Sequence, residues 1–146
     1  MSEIFIFRGF SQEDLDKGKN FILSKGINLE GMIFSRSDET MAKENVESLL
    51  NRINKEGSCP ANGAPAEGSK AVIMAVNTQE KALMVMRSFK AVLDKPEEPA
   101  FAMITPTSLE WTLEYYMDHI CQEHEYMKTH NPADDPDMKK ITPEEK

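Results

Sequence analysis

The chain has 146 residues and a formal net charge of −8, from 17 basic and 25 acidic side chains. Nucleic-acid binding rests on Lys and Arg neutralising phosphates, so an acidic chain with no run of three basic residues argues against that partner. No apolar run reaches the roughly 18 residues a membrane span needs, and two cysteines, Cys59 and Cys121, make no disulfide framework. The expectation is a cytoplasmic protein with free thiols, large enough to fold around an ordinary core.

Glu3 to Phe10 opens with a strand centred on Ile4-Phe-Ile-Phe7. Ser11-Gln-Glu-Asp14 fits a capping box, so a helix starts there; Leu15 and Ile22 share its inner face. Gly18 sits mid-helix, where it weakens the helix or permits close packing on a neighbour. Gly26 reads as the residue that ends the helix. Met32-Ile-Phe34 is a second strand, ending at Ser35-Arg-Ser37-Asp38. One helix is expected next, with Ala42, Val46, Leu49, Leu50 and Ile53 inward and Gly57 as its stop.

Gly57 to Ser69 is nearly all Gly, Pro, Ala and Ser, and reads as a flexible linker. Ala71 to Val76 is a third strand, and Thr78 caps a helix that presents Ala82, Val85, Met86, Phe89 and Leu93. Lys95-Pro-Glu-Glu-Pro99 breaks that helix and leads to a fourth strand at Phe101-Ala-Met-Ile104. Thr107-Ser-Leu-Glu110 is another capping-box pattern, so a long helix is expected from Thr107. It carries two stripes. Leu109, Leu113, Tyr116, Met117, Ile120 and Met127 form the core-facing one; Trp111, Tyr115, His119, Gln122 and Tyr126 form the other. Residues 131–146 are expected to be a disordered tail.

The organisation is then two β-α-β-α halves, 1–56 and 70–130, around a linker at 57–69. Ile4 to Glu13 lies over Ala71 to Glu80 without a gap, and Leu15 and Ile22 fall on Ala82 and Phe89. Ser35-Arg-Ser37 falls near Thr105-Pro-Thr107, with the later register ambiguous by one residue. This pattern supports an internal duplication. Right-handed crossovers predict an α/β fold with a four-stranded, mostly parallel sheet. The alternative is a mixed α+β sheet of ferredoxin-like character, in which one strand pairs antiparallel.

Thr105-Pro106-Thr107 followed by Trp111-Thr112-Leu113 resembles a small bacterial family catalogued as a domain of unknown function, over about residues 70–127. The resemblance implies a strand-helix-strand-helix layout and no particular chemistry. It marks Thr105, Thr107 and Trp111 as family-typical.

Two classes of function are expected from the residues. The first is a non-catalytic binding or protein-interaction domain, a homodimer being the candidate assembly, with Trp111, Tyr115, His119 and Tyr126 as the interface. The alternative is a small-anion binder, or an enzyme, at the carboxyl ends of the strands, where helix N-termini converge. Its candidates are Arg8, Ser35, Arg36, Ser37, Thr105 and Thr107. No cofactor is expected. His119, Cys121, His124 and His130 crowd one region, but a single helix face offers at most two metal ligands, Cys121 and His124, so no metal site is expected. No catalytic residue is singled out, and neither nucleic acid nor membrane is an expected partner.

Overall fold

The computed structural model describes residues 3–57 and 68–129. Four strands form one sheet: β1 (Glu3–Arg8), β2 (Met32–Arg36), β3 (Ala71–Ala75) and β4 (Ala100–Met103), in the order β2-β1-β3-β4. The outer pairs β1·β2 and β3·β4 are parallel, and the central pair β1·β3 is antiparallel. The sheet is therefore mixed: mostly parallel, with one antiparallel join.

Side chains alternate across a strand, so each face gathers its own core. Phe5, Phe7, Val72 and Met74 face α1 (Gln12–Ser24) and α4 (Gln79–Val92). Ile4, Ile6, Ala71, Ile73 and Ala100 face α3 (Val46–Glu56) and α5 (Leu113–Thr129). Aromatic rings fill the first core: Phe7 lies 4.8 Å from Phe89 and Phe5 stacks 4.9 Å from Phe34. Helices α1 and α4 meet where Gly18 faces the Phe89 ring. A Cβ built on Gly18 would come within 2.3 Å of that ring, so the glycine permits a close crossing.

The two halves keep the same spacing throughout. Ile4 pairs with Ile33 and Ala71 with Ala100, a step of 29 residues in each half. Between halves the step is 67: Ile6 on Ile73, Ser11 on Thr78, Asn45 on Thr112. The caps repeat at that step. Ser11 Oγ accepts from Asp14 N and Thr78 Oγ1 from Lys81 N. Asp38 accepts from Met41 N, and Thr105 Oγ1 from Ser108 N. Asn45 accepts from Ser48 N, and Thr112 Oγ1 from Tyr115 N. Ile6 lies opposite Ile73, its own counterpart, and Asn45 bridges Thr112, again its own counterpart. An approximate two-fold axis therefore runs through both pairs. It also fixes the later register: Ser35 falls on Ala102 and Asp38 on Thr105, three residues away from the match of Ser35–Ser37 to Thr105–Thr107.

Both helices expected after β2 and β4 are broken at equivalent points. After β2 the chain makes α2 (Glu39–Ala42), leaves the helix, and restarts as α3 at Val46. After β4 it makes a 3-10 turn at Ser108–Glu110 and restarts as α5 at Leu113. The cause is a long-range pair of backbone bonds, Val46 N to Trp111 O at 2.8 Å and Leu113 N to Glu44 O at 2.9 Å. These ties hold Glu44–Val46 and Trp111–Leu113 extended against each other. Thr107, expected as a cap, makes no side-chain cap bond; Thr112 takes that place. Of the core stripe expected for the last helix, Leu113, Tyr116, Met117 and Ile120 are buried, while Leu109 falls in the 3-10 turn and, like Met127, is half-buried. Cys59, His130, most of the linker and the tail lie outside the described residues.

Two substitutions test this packing by denaturant unfolding. Gly18→Ala gains about 1 kcal/mol of helix propensity but forces the buried Phe89 ring aside, an overpacking cost of about 1–3 kcal/mol. Net destabilisation is expected, relieved when Phe89→Leu is added. Thr112→Val should cost about 1 kcal/mol, while Thr107→Val should stay near wild type.

Candidate functional site

Because β1 and β3 run antiparallel, the carboxyl ends of the two halves lie at opposite ends of the sheet. The six anion-site candidates therefore do not converge. Thr105 and Thr107 sit exposed at the end of β4, away from the end of β1 and β2. Arg36 projects from the opposite face to Arg8 and donates from Nε to the Phe10 carbonyl at 2.9 Å. Arg8, Ser35 and Ser37 remain together, on the face covered by α3 and α5.

Over Arg8 and Ser37 lies a crevice of about 440 Å³ between α2 and α5, with Ala42, Leu113 and Met117 as its apolar wall. Arg8 is only 3% exposed. It donates from Nε to Ser69 O at 2.9 Å, from Nη1 to Asp118 Oδ1 at 2.8 Å, and from Nη2 to Cys121 Sγ at 3.5 Å. The bond to Ser69 fastens the chain entering β3, and Gly68 lies against the guanidinium so closely that a Cβ there would meet Cζ at 2.7 Å. Arg8 thus has a structural duty. Ser37 has none visible: its hydroxyl, like that of Ser35, is buried and has no hydrogen-bond partner among the described residues. A buried, unpaired polar group costs about 1–3 kcal/mol. The acids that line the crevice, Glu39, Glu114 and Asp118, are exposed at its rim beside Lys43.

The two-fold provides a comparison inside the molecule. A second crevice of about 350 Å³ lies at the equivalent place in the other half. There Ala75 stands for Arg8, Ile104 for Ser37, Leu109 for Ala42, Leu50 for Met117 and Asn51 for Asp118. The same backbone thus folds with an apolar floor in one half and a buried arginine with an unpaired serine in the other.

The aromatic candidates form a second feature, at the outer edge of β4, which no strand among the described residues pairs. Trp111 packs edge-on against Tyr115 at 4.9 Å and against His119 at 5.2 Å. Tyr115 is 55% exposed, and Tyr126 is exposed further along α5. A groove flanks β4, with Leu83, Met86 and Arg87 on one side and Trp111, His119 and Glu123 on the other. His119 Nε2 lies 3.3 Å from Glu123, so its imidazole is held at the rim.

The metal-type residues do not come together. Cys121 turns toward Arg8, and His124 Nε2 lies 2.7 Å from the Glu97 carbonyl. Among the described residues no group of three or more His, Cys, Asp or Glu side chains is placed to hold a metal ion. Also among these residues, no helix is long and apolar enough to cross a membrane. Sequence reasoning missed Asp118, Glu114 and Lys43 as neighbours of Arg8. The available signal was Arg8 over Ala75 in the gapless match, a charge where the other half has a methyl.

Residues 70–127 match the family model of a domain of unknown function (DUF3783). This is the segment marked by the Thr105-Pro106-Thr107 turn and the Trp111-Thr112-Leu113 start. No curated protein and no solved structure matches the chain.

Burial pushes the Cys121 thiol above the ordinary range, against the opposing pull of the Arg8 guanidinium. The folded thiol therefore holds its proton more tightly than the unfolded one. That favours folding at neutral pH, and the contribution is lost as pH climbs through the raised value. In a Cys59→Ser background, alkylation of Cys121 at neutral pH should be much slower than that of a free thiol, and slower still after Arg8→Met. Reaction at the rate of a free thiol would show the side chain is not buried.

Proposed function

We propose that this chain is a non-catalytic protein-interaction domain that self-associates through β4 and the aromatic stripe of α5. Its two halves arose by duplication of the unit matched at 70–127. The acidic balance and sparse cysteines fit a cytoplasmic setting. The constant step of 67 residues supports the duplication, since it places the matched segment on residues 3–60 without insertion.

The observation that carries the self-association is the hydrogen-bonding pattern left on the outer side of β4. Ala100 N donates to Lys70 O and Ile104 N to Met74 O, both inward. Planar trans peptides then turn the carbonyls of Pro99 and Met103 outward. Strand alternation turns the N–H and C=O of Phe101, and the N–H of Met103, outward as well. Tyr116 already donates its hydroxyl to Met103 O at 2.6 Å, and Pro99 has no N–H. Consider β4 of a second copy paired antiparallel with Phe101 opposite Phe101. The two Phe101 residues exchange both bonds. Each Met103 N–H reaches the Pro99 carbonyl of the second copy. The one bond a proline cannot give falls where Met103 O already has a donor. Every outward group is satisfied.

The other edge lacks this character. At positions equivalent to Leu83, Met86, Trp111 and His119, the β2 edge carries Asp16, Lys19, Glu44 and Arg52. Lys19 Nζ lies 5.9 Å from the centre of the Phe34 ring, and Arg52 pairs with Glu44 at 2.8 Å. Charges at an edge are the usual guard against strand addition. The β4 edge has Lys90 Nζ 5.8 Å from the centre of the Phe101 ring and Arg87 and Glu123 beside its groove, so its contrast with the β2 edge rests on Leu83, Met86 and Trp111.

Sedimentation equilibrium should show a monomer–dimer equilibrium up to hundreds of micromolar. The variant Leu83→Asp with Met86→Lys, which copies the guards of the β2 edge, should weaken the dimer at least tenfold, about 1.4 kcal/mol. A wild-type protein that stays monomeric over that range contradicts the reading.

A further inference from the structure

We infer that the crevice over Arg8 and Ser37 binds a small aliphatic amino acid as its zwitterion, carboxylate inward and ammonium at the rim. Three observations lead there. The floor carries a buried cation, Arg8, and a buried hydroxyl with no partner among the described residues, Ser37, each 3% exposed. The rim carries three acids, Glu39, Glu114 and Asp118, with one base, Lys43. The wall between them is apolar, from Ala42, Leu113 and Met117.

Arg8 has a structural bond to Ser69, but nothing in the fold asks for a hydroxyl at Ser37. The sister crevice closes over Ala75 and Ile104 with the same backbone and hydrogen-bond register. A polar floor in one copy alone, including a serine that opens on the crevice with no partner among the described residues, suits a ligand better than a core.

The charge order selects the ligand. A planar carboxylate suits the guanidinium fork, and the Ser37 hydroxyl can donate to a second oxygen. Arg8 spends Nε on Ser69, one Nη1 proton on Asp118 and one Nη2 proton on Cys121, which leaves one N–H on each terminal nitrogen for an incoming anion. A plain anion would have to pass the acidic rim and sit beside Asp118. A plain amine would meet Arg8. A molecule with its positive group one carbon from its carboxylate answers both. Its ammonium can take Asp118, whose side chain is 55% exposed and free to adjust, and its aliphatic group can lie on the apolar wall. The crevice lies on the α3/α5 face at the end of β1, separate from the β4 edge.

Titration of the full-length 15N-labelled protein tests this with three probes: L-valine, 3-methylbutanoate, which lacks its ammonium, and isobutylamine, which lacks its carboxylate. Valine should give saturable shifts at the backbone amides of Arg8, Ser37 and Asp118, with both fragments at least tenfold weaker. Ser37→Ile, which copies the sister crevice, should abolish the valine shifts while the rest of the spectrum stays folded. Arg8→Met should do the same where it folds, and Glu114→Gln should weaken valine but not 3-methylbutanoate. Absence of saturable valine shifts, valine binding unchanged in Ser37→Ile, or 3-methylbutanoate binding as tightly as valine would overturn the inference.

Discussion

The antiparallel pairing of β1 with β3, centred where Ile6 meets Ile73, is the constraint from which the rest of the molecule follows. Each half is a strand-helix-strand unit with parallel strands, whose first strand is buried on both faces. Joining the two first strands antiparallel turns one half end for end relative to the other, with the faces of the sheet kept. It sends α1 and α4 to one face and α3 and α5 to the other. It also leaves two outer edges and places the carboxyl ends of the two halves at opposite ends of the sheet. The register is equally binding: sliding β1 by one residue would exchange its faces, moving Arg8 out of its crevice and Phe5 and Phe7 into the wrong core.

A scaffold repeated about a two-fold is its own control. Where the halves agree, at caps, breaks and strand spacing, the residues answer to the fold. Where they differ at matched positions, the difference answers to a local duty, as Arg8 does at Ser69, or needs another cause, as Ser37 does. Two such differences stand out. Arg8 and Ser37 replace Ala75 and Ile104 on the floor of one crevice, and Trp111 with His119 replaces the Glu44–Arg52 ion pair at one edge. The family model matches only the half with the aromatic edge.

Much of the fold could be read from local chemistry. The apolar runs gave the four strands, Ser11 and Thr78 gave two helix starts, and the gapless match of Ile4–Glu13 on Ala71–Glu80 gave the step on which the two-fold rests. The orientation at the centre could not be read. A strand buried on both faces shows the same continuous apolar run whether its neighbour is parallel or antiparallel. The helix breaks at Lys43–Asn45 and Trp111–Thr112 were hidden for a related reason. The inward stripe keeps its rhythm through each break, and the interruption comes from backbone bonds between Glu44–Val46 and Trp111–Leu113, far apart in the chain. Of the candidate anion residues, Arg8 and Ser37 were legible as polar groups at strand ends. That Thr105 and Thr107 lie elsewhere depends on the central orientation, which local pattern does not carry. The aromatic stripe was legible as a surplus apolar face. Its setting beside an outer strand edge was not.

The central pairing can be measured directly by cross-strand backbone NOEs in the isotope-labelled protein. Antiparallel contacts should link Phe5 with Met74, Ile6 with Ile73 and Phe7 with Val72, while β2 and β4 show parallel contacts to β1 and β3. A parallel β1·β3 pattern, or an antiparallel one in which Ile6 faces a residue other than Ile73, would contradict the two-fold, the matched crevices and the contrast between the edges together.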